Sequence, residues 1–376
     1  MLGYTGYWML KTIILSMRGL SFLRFTWMCK NPPSITAGRS RIKISIIGAG
    51  PGGLAAAGYF ACLGYSVTVY DKQPLPGGMM VFAIPKVRIR DETVLEGIYE
   101  LRDKFGVVFK NNIKIFGNHE PPKEEGDHFV KELINLKDIV DESDAVLITT
   151  GTWQSRKLRI PGEEGPRVMS AVEYLYDIRV WEKGLVDHKP SVGRKVVIIG
   201  AGLSAVDAAL EALEQGVEEV MIAYRRTKKQ APAGVYEINK LIKRGVKWIE
   251  LVSPVEIIRE NGGVKAIRLQ RMRLGEPDES GRPRPIPIPG SEFDLEADTI
   301  IEAIGEIPTP PLVNGYLGIK LDKRNKIIVD EKFRTSNPKV WAAGDVVTGP
   351  SFIGNAIKTS LYASKSIHTY LSGKIL

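Results

Sequence analysis

Two short apolar runs organise this chain, each ending on glycine and each followed by a stretch rich in alanine and leucine. The first, Ile42-Lys43-Ile44-Ser45-Ile46-Ile47, is β-branched and has the pattern of a buried strand. It runs into Gly48-Ala49-Gly50-Pro51-Gly52-Gly53 and then into a helical pattern. The second, Lys195-Val196-Val197-Ile198-Ile199, runs into Gly200-Ala201-Gly202-Leu203-Ser204-Ala205 and a second helical pattern, 152 residues further on. Other apolar runs stop in the same way: Ser66–Tyr70 before Asp71, Ala145–Thr150 before Gly151, Glu219–Tyr224 before Arg225, Asp298–Ile304 before Gly305 and Val340–Ala343 before Gly344-Asp345. Short strands that alternate with helices predict an α/β fold with parallel sheets. Ala171–Leu185 reads as a helix, Arg271–Ser291 as a hairpin or surface loop, and a terminal helix starts near Ile353.

The order of these elements implies nesting. A dinucleotide unit fills residues 41–153, a second fills 154–306, and a further strand and helix in 307–376 need a sheet to join. The economical arrangement returns them to the first unit, with the second inserted into it. Residues 1–40 form a basic arm.

A strand, a G-x-G-x-x-G/A turn and a helix together make a dinucleotide site: glycines allow the turn and the approach of a pyrophosphate, and the helix N-terminus faces the anion. The residues that follow separate the two ligands. Asp71, about 20 residues past the first turn, can accept hydrogen bonds from an adenosine ribose, and the first site reads as FAD. After the second turn the strand ends in Arg225-Arg226, with Lys228 and Lys229 behind and no acid available. Two guanidinium groups offer bidentate donors to a 2′-phosphate, so the second site reads as NADP(H).

Net charge is +9, but no acid precedes Asp71, whereas Lys11, Arg18, Arg24, Lys30, Arg39, Arg41 and Lys43 do. Those seven removed from 52 leave 45 basic against 43 acidic residues, a net of +2. The body of the chain is nearly neutral, which excludes a nucleic-acid-binding basic face. Three readings of the arm stand side by side: a start at a later methionine such as Met17 or Met28, a partner-binding or membrane-surface arm, and an organelle transit segment. Its longest uncharged stretch is too short to span a bilayer. Cys29 and Cys62 are the two cysteines. They are too few for an iron-sulfur cluster held wholly within these residues, and they predict a reduced, cytoplasmic protein without a disulfide framework, with Cys62 a small core residue. His119, His128, His188 and His368 lack metal-ligand spacing and read as surface residues, with no metal site.

At this point the chain resembles the two-dinucleotide flavoproteins of the pyridine nucleotide-disulfide oxidoreductase class, and within them the small (beta) subunit of glutamate synthase. The resemblance rests on Ile47–Leu54, Asp71–Met80 with Ile84-Pro85, Thr149-Thr150-Gly151 and Ile160-Pro161-Gly162-Glu163. It continues through Tyr224–Thr227, Gly275-Glu276-Pro277-Asp278, Thr335–Pro338 and Ala343-Gly344-Asp345, about nine-tenths of the chain in order. It implies that Gly48, Gly50, Pro51, Gly53 and Asp71 hold the ADP half of FAD. Gly77, Gly78, Met79 and Gly151 would lie against the flavin half, and Gly344 and Asp345 at its ribityl chain. NADP(H) would be held by Gly200, Gly202, Ser204, Arg225 and Arg226. The N-terminal iron-sulfur domain of the glutamate synthase type is replaced here by the arm. The flavin-side segment and the second unit contain no cysteine pair, which argues against thiol-disulfide chemistry.

Direct hydride transfer between two cofactors needs alignment rather than a side-chain acid or base, so no catalytic side chain is expected. The electron acceptor implied is an iron-sulfur protein or subunit, either ferredoxin or the glutamate synthase large subunit. A stand-alone ferredoxin-NADP reductase-like enzyme and a catalytically idle scaffold subunit are the alternatives. The N-terminus of the helix near Gly354-Asn355-Ala356 is a second candidate for the flavin site, with simple closure of the fold as the competing role.

Overall fold

The computed structural model describes residues 29, 31, 39–117, 120–278 and 281–373. The chain divides into two compact units. One is drawn from both ends of the chain, up to Gln154 and from Glu306 onward, and the other is Ser155–Gly305.

In the first unit, strands β1 (Lys43–Ile47), β2 (Ser66–Tyr70), β3 (Val108–Lys110) and β4 (Ala145–Ile148) lie in one parallel sheet with the late strand Val340–Ala342. The order is Val340–Ala342, β4, β1, β2, β3. Ile44 pairs with Val67 on one side and with Ala145 on the other, so β1 is central and its apolar residues are covered on both faces. Ile47, Tyr70, Leu136, Ile148 and Val340 belong to one core cluster.

Helix α1 (Pro51–Cys62) follows the glycine turn and is buried nearly all round, from Gly52 to Cys62. Its residues are apolar without an amphipathic stripe, because the sheet covers one side and the C-terminal helix Ile353–Ser372 the other. The contact is close. A Cβ on Gly52 would stand 2.5 Å from Ser360 Oγ and 3.3 Å from the Ala356 carbonyl oxygen.

The second unit repeats the arrangement. Its parallel strands are β5 (Val168–Ser170), β6 (Lys195–Ile199), β7 (Glu219–Tyr224) and β8 (Lys247–Glu250). A three-stranded antiparallel sheet follows, of β9 (Val252–Glu260), β10 (Gly263–Pro277) and β11 (Pro283–Glu296), and β12 (Thr299–Glu302) then returns to the parallel sheet. The parallel order is β8, β7, β6, β12, β5, with β6 central before the second glycine turn and helix α2 (Leu203–Glu214). Val197, Ile199, Met221 and Ala223 share a core cluster with Ile257, Ile267 and Leu269 of the antiparallel sheet. The segment Arg271–Ser291 is therefore the outer half of a long β-hairpin, with Leu274 paired to Pro285 near its tip.

One expectation fails here. Cys62 is disulfide-bonded to Cys29, their Cα atoms 5.7 Å apart, a separation well suited to a bridge. Reading Cys62 as an isolated core thiol overlooked that a single pair needs no framework, only a Cys29 that folds against the end of α1. The bridge is no flavin-side redox pair, because Cys62 lies ten residues beyond Gly52, about 15 Å along the helix from the glycine turn. The readings of residues 1–28 lie outside the described residues.

Candidate functional sites

The first glycine turn is fixed by three close approaches. Gly48 has φ +103°, and a Cβ there would stand 2.5 Å from the Thr149 carbonyl oxygen at the end of β4. A Cβ on Gly53 would stand 1.9 Å from the Gly48 carbonyl oxygen, so only glycine lets α1 start against the turn. Gly50 differs: a Cβ there would meet nothing within 4 Å. No side chain caps α1 at Gly50, and Pro51 occupies its first turn without an N–H to satisfy. Open space before an uncapped helix N-terminus is what a pyrophosphate needs.

Asp71 closes the site from the end of β2. It is buried, with Oδ2 accepting the Ala49 N–H at 2.5 Å and Oδ1 the Gln73 N–H at 2.8 Å. Burial pushes its carboxyl above the usual range, and the two backbone donors and Lys72 pull the other way. The chain beyond Asp71 folds back over the turn. Gly77 donates its N–H to the Ala49 carbonyl at 2.9 Å, and a Cβ on Gly78 would stand 2.8 Å from Gly50 Cα. Half-buried Met79 then opens a single helical turn.

Two further segments reach the same unit. Gly151, just past β4, leaves open space at its Cα and accepts the Thr309 N–H at 3.0 Å. Gly344 donates its N–H to Thr359 Oγ1 at 3.0 Å. The Asp345 carboxylate accepts both the Ser351 hydroxyl, at 2.6 Å, and the Ser351 N–H, at 3.2 Å, and burial pushes its carboxyl upward. The helix Ile353–Ser372 starts beside them with no side chain capping its N-terminus. Gln73, Thr149, Thr359 and Ser351 buttress these groups and were not singled out from the sequence. A polar residue with a distant partner leaves no local signal.

The second turn reproduces the first within its own unit. Gly200 has φ +131°, and a Cβ there would stand 2.1 Å from the Ala303 carbonyl oxygen. Gly202 leaves open space, and no side chain caps α2. Buried Ala205 stands at the third glycine position, and half-buried Ser204 lies in the first turn of α2.

The arginine pair separates at the end of β7. Arg225 is exposed, whereas Arg226 is only 1% exposed. Arg226 donates Nη2–H to Asp278 Oδ2 at 2.5 Å and Nε–H to the Pro283 carbonyl at 2.7 Å. Its guanidinium is engaged by the hairpin and is not presented to solvent. Of the two arginines expected at the second site, Arg225 is thus the exposed one and Arg226 the one held by the hairpin.

Below the same turn Glu302, at the end of β12, is 1% exposed. It accepts the Lys157 ammonium at 3.2 Å. Burial, reinforced by the neighbouring Glu163 and opposed by Lys157, pushes its carboxyl up to about 7. Among the histidines, His128 and His188 are exposed, His119 lies outside the described residues, and His368 differs from expectation: its Nδ1 is 2.7 Å from the Tyr65 hydroxyl. Among the described residues no group of three or more His, Cys, Asp or Glu side chains could hold a metal ion, and no helix is long and apolar enough to cross a membrane.

Comparison with known proteins agrees with this geometry. The family model described as pyridine nucleotide-disulphide oxidoreductase matches residues 42–360. The NADP(+)-dependent formate dehydrogenase subunit beta of Moorella thermoacetica is 34% identical over 342 residues, 90% of this chain and 45% of that protein. The glutamate synthase [NADPH] small chain of Halomonas elongata is 33% identical over 337 residues, 88% of this chain and 68% of that one. The chain thus spans less than half of the first relative and about two thirds of the second. Mycobacterium tuberculosis FprA in complex with NADPH superposes with a TM-score of 0.68 at 20% identity, over 88% of this chain and 85% of that chain, a likeness of fold. With two strand-glycine-helix sites in two Rossmann-type units and a family match across both, the chain belongs to the pyridine nucleotide-disulphide oxidoreductase family.

Proposed function

We propose that the first unit holds FAD, that the second holds NADP(H), and that electrons taken from NADPH leave through an iron-sulfur protein or subunit. The observation that carries this reading is the paired open space at Gly50 and Gly202, each before an uncapped helix. Asp71 at the first site suits an adenosine ribose, and Arg225 at the second suits a 2′-phosphate. FAD supplies the conversion between a two-electron hydride and single electrons when bound. The residues of this chain bind and align: Gly50 and Gly53 admit the pyrophosphate, Gly77, Gly78 and Met79 border the flavin half, and Asp345 with Gly344 takes the ribityl side. No side chain here is assigned a proton-transfer role, since hydride transfer depends on alignment.

An exit to a cluster held outside these residues is supported by the cysteine chemistry. The two cysteines of this sequence are joined to each other, so these residues offer no thiolate set for a cluster. The relatives' names point the same way, being a subunit beta and a small chain. We infer a role as the small subunit of a glutamate synthase or a related assembly. Retention of the open second turn disfavours an idle scaffold, which would need neither Gly202 nor Arg225.

The test is anaerobic mixing with NADPH, followed by addition of ferredoxin, or of a glutamate synthase large subunit with glutamine and 2-oxoglutarate. Bleaching of the bound flavin, then reduction of either protein acceptor, is expected. Bleaching without transfer to any protein acceptor, with fast turnover of a quinone or oxygen, overturns the partner reading. No bleaching overturns the enzyme reading at these sites.

A further inference from the structure

The helix Ile353–Ser372 packs one face on α1 and leaves a stripe of another uncovered. Ala356, Ile357, Ser360, Ala363, Ser364 and Ile367 are buried, whereas Lys358, Tyr362, Lys365 and Thr369 are exposed. Their spacing of four, three and four places those four residues in one line along the helix. Lys358 and Lys365 each hold their ammonium 5.9 Å from the centre of the Tyr362 ring, and Tyr362 itself is 49% exposed. No acidic residue follows Asp345 in the sequence, so nothing on this helix neutralises the two lysines.

A second segment widens the stripe into a platform. Phe333 stacks on Tyr362, with ring centres 6.5 Å apart and planes 25° from parallel. Its backbone has φ +60°, a left-handed conformation that a bulky residue adopts only under strain. The turn around it holds that conformation. Asp330 Oδ1 accepts the N–H groups of Lys332 and Arg334, at 2.8 and 2.9 Å, and the Phe333 N–H donates to the Asp330 carbonyl at 3.0 Å. Glycine would fit this turn without strain. Backbone strain of this kind clusters where a side chain is presented to a ligand or partner, and here it places an aromatic ring against Tyr362. The exposed neighbours Glu331 and Lys332 cancel in charge, which leaves Lys358 and Lys365 as the uncompensated cations of the platform.

We propose that the Phe333–Tyr362 platform with Lys358 and Lys365 is the docking surface for the iron-sulfur acceptor protein, whose matching face carries carboxylates around an apolar centre. This rests on the reading that electrons leave through such a protein. Position supports it: Tyr362 lies nine residues past Ile353, about 14 Å along a helix that starts beside Gly344 and Asp345. Charge selects the occupant. A second copy of the chain, docked by the same face, would set lysines against lysines. Residues 1–40 contain no acid and offer no complementary charge. A membrane surface needs a broad apolar helix face to insert, and the apolar face of this helix is buried on α1.

The experiment follows reduction of an acidic ferredoxin, or of the glutamate synthase large subunit, by the intact flavoprotein with NADPH at low and at high salt. The double variant Lys358→Glu with Lys365→Glu is expected to raise the KM for the protein acceptor at least tenfold at low salt, with a smaller effect at high salt, because exposed charges are screened. Tyr362→Ala should raise it about tenfold at both, and Tyr362→Phe should restore it, since the ring is the contact. Bleaching of the flavin by NADPH and turnover of ferricyanide should be unchanged in every variant. Lys240→Glu with Lys243→Glu, an equal charge change at exposed positions of the other unit, should stay within about threefold of wild type. Retained flavin and an unchanged thermal transition identify folded protein. A KM unmoved by the reversal at Lys358 and Lys365, or moved no more than by that at Lys240 and Lys243, overturns this surface while the partner reading stands. So does binding of wild type, but not of the reversed variant, to phosphatidylserine vesicles when the acceptor kinetics of the two are equal, which makes the stripe a membrane contact. A wild-type protein that turns over ferricyanide and reduces neither protein acceptor overturns the partner reading itself.

Discussion

Asp71 accepts the N–H of Ala49, from inside the first glycine turn, and that of Gln73, from the loop beyond β2. One carboxylate thus ties together the two segments that border the candidate FAD site. Both oxygens are used, so an amide cannot replace it: Asn has one acceptor oxygen and would turn its NH2 toward a backbone N–H. Asp71→Asn is expected to fold but to lose flavin. An unsatisfied buried N–H costs about 1–3 kcal/mol, which corresponds to about a tenfold or greater weakening. The flavin-to-protein ratio after extended dialysis measures this, and full retention would mean that the carboxylate is dispensable.

The glycines of the two turns should fall into distinct classes. At Gly53 an added methyl collides with the Gly48 carbonyl oxygen, and Gly53→Ala is expected to disrupt the first unit and yield little folded protein. At Gly50 and Gly202 the methyl meets no protein atom. Gly50→Ala should fold normally and bind FAD poorly, while Gly202→Ala should keep its FAD and lose affinity for NADPH. Circular dichroism, flavin content and NADPH titration separate the three, and a misfolded Gly50→Ala or Gly202→Ala variant would contradict the open space described at both turns.

Glu302 makes stability fall as pH rises. Its folded-state value is about 7, against an ordinary 4.5, so between those limits the folded chain keeps a proton that the unfolded chain releases. Below about pH 4.5 both states are protonated and there is no penalty. Above about pH 7 the full cost is present, at most about 3 kcal/mol at 1.36 kcal/mol per pH unit. Glu302→Gln should match wild type in denaturant unfolding at pH 4.5 and exceed it at pH 8. If the variant is less stable at pH 8, the Lys157 contact outweighs burial.

The Cys29–Cys62 bridge has a direct chemical readout. Protein denatured without reductant is expected to show no thiol reactive toward a disulfide dye, and two after reduction. Cys62→Ser should leave flavin content and the rate of bleaching by NADPH unchanged, because the residue lies a helix length from the turn. A change in either would place the bridge closer to function than its position suggests.

How far the sequence led depended on the range of the interactions involved. Strand, glycine turn and helix are local, and β1 to α1 and β6 to α2 stand where the apolar runs and glycines predicted. The place of Asp71 at the end of β2 was reachable too, since it lies at a fixed distance past the turn, whereas its contacts to Ala49 and Gln73 were not. The engagement of Arg226 was not legible because its partner is distant: nothing near Arg226 announces Asp278. Even so, neighbouring residues at the end of a strand point to opposite sides, and that alternation alone argued against two equivalent ligands. Cys29, Ser351 and the hydroxyl of Tyr65 were hidden for the same reason, each contact being set by how separated segments pack.

The late strand Val340–Ala342 pairs with β4, and the helix Ile353–Ser372 packs on α1 so closely that Gly52 has no room for a side chain. This interlocking dictates the order of assembly during synthesis. As the chain leaves the ribosome from its N-terminal end, β1, α1, β2 and β4 emerge first, yet their sheet lacks an outer strand and α1 lacks its cover. The segment Ser155–Gly305 forms a compact unit of its own and can close while translation continues. The unit begun first is therefore completed last, and its exposed apolar helix waits for nearly the whole length of the chain.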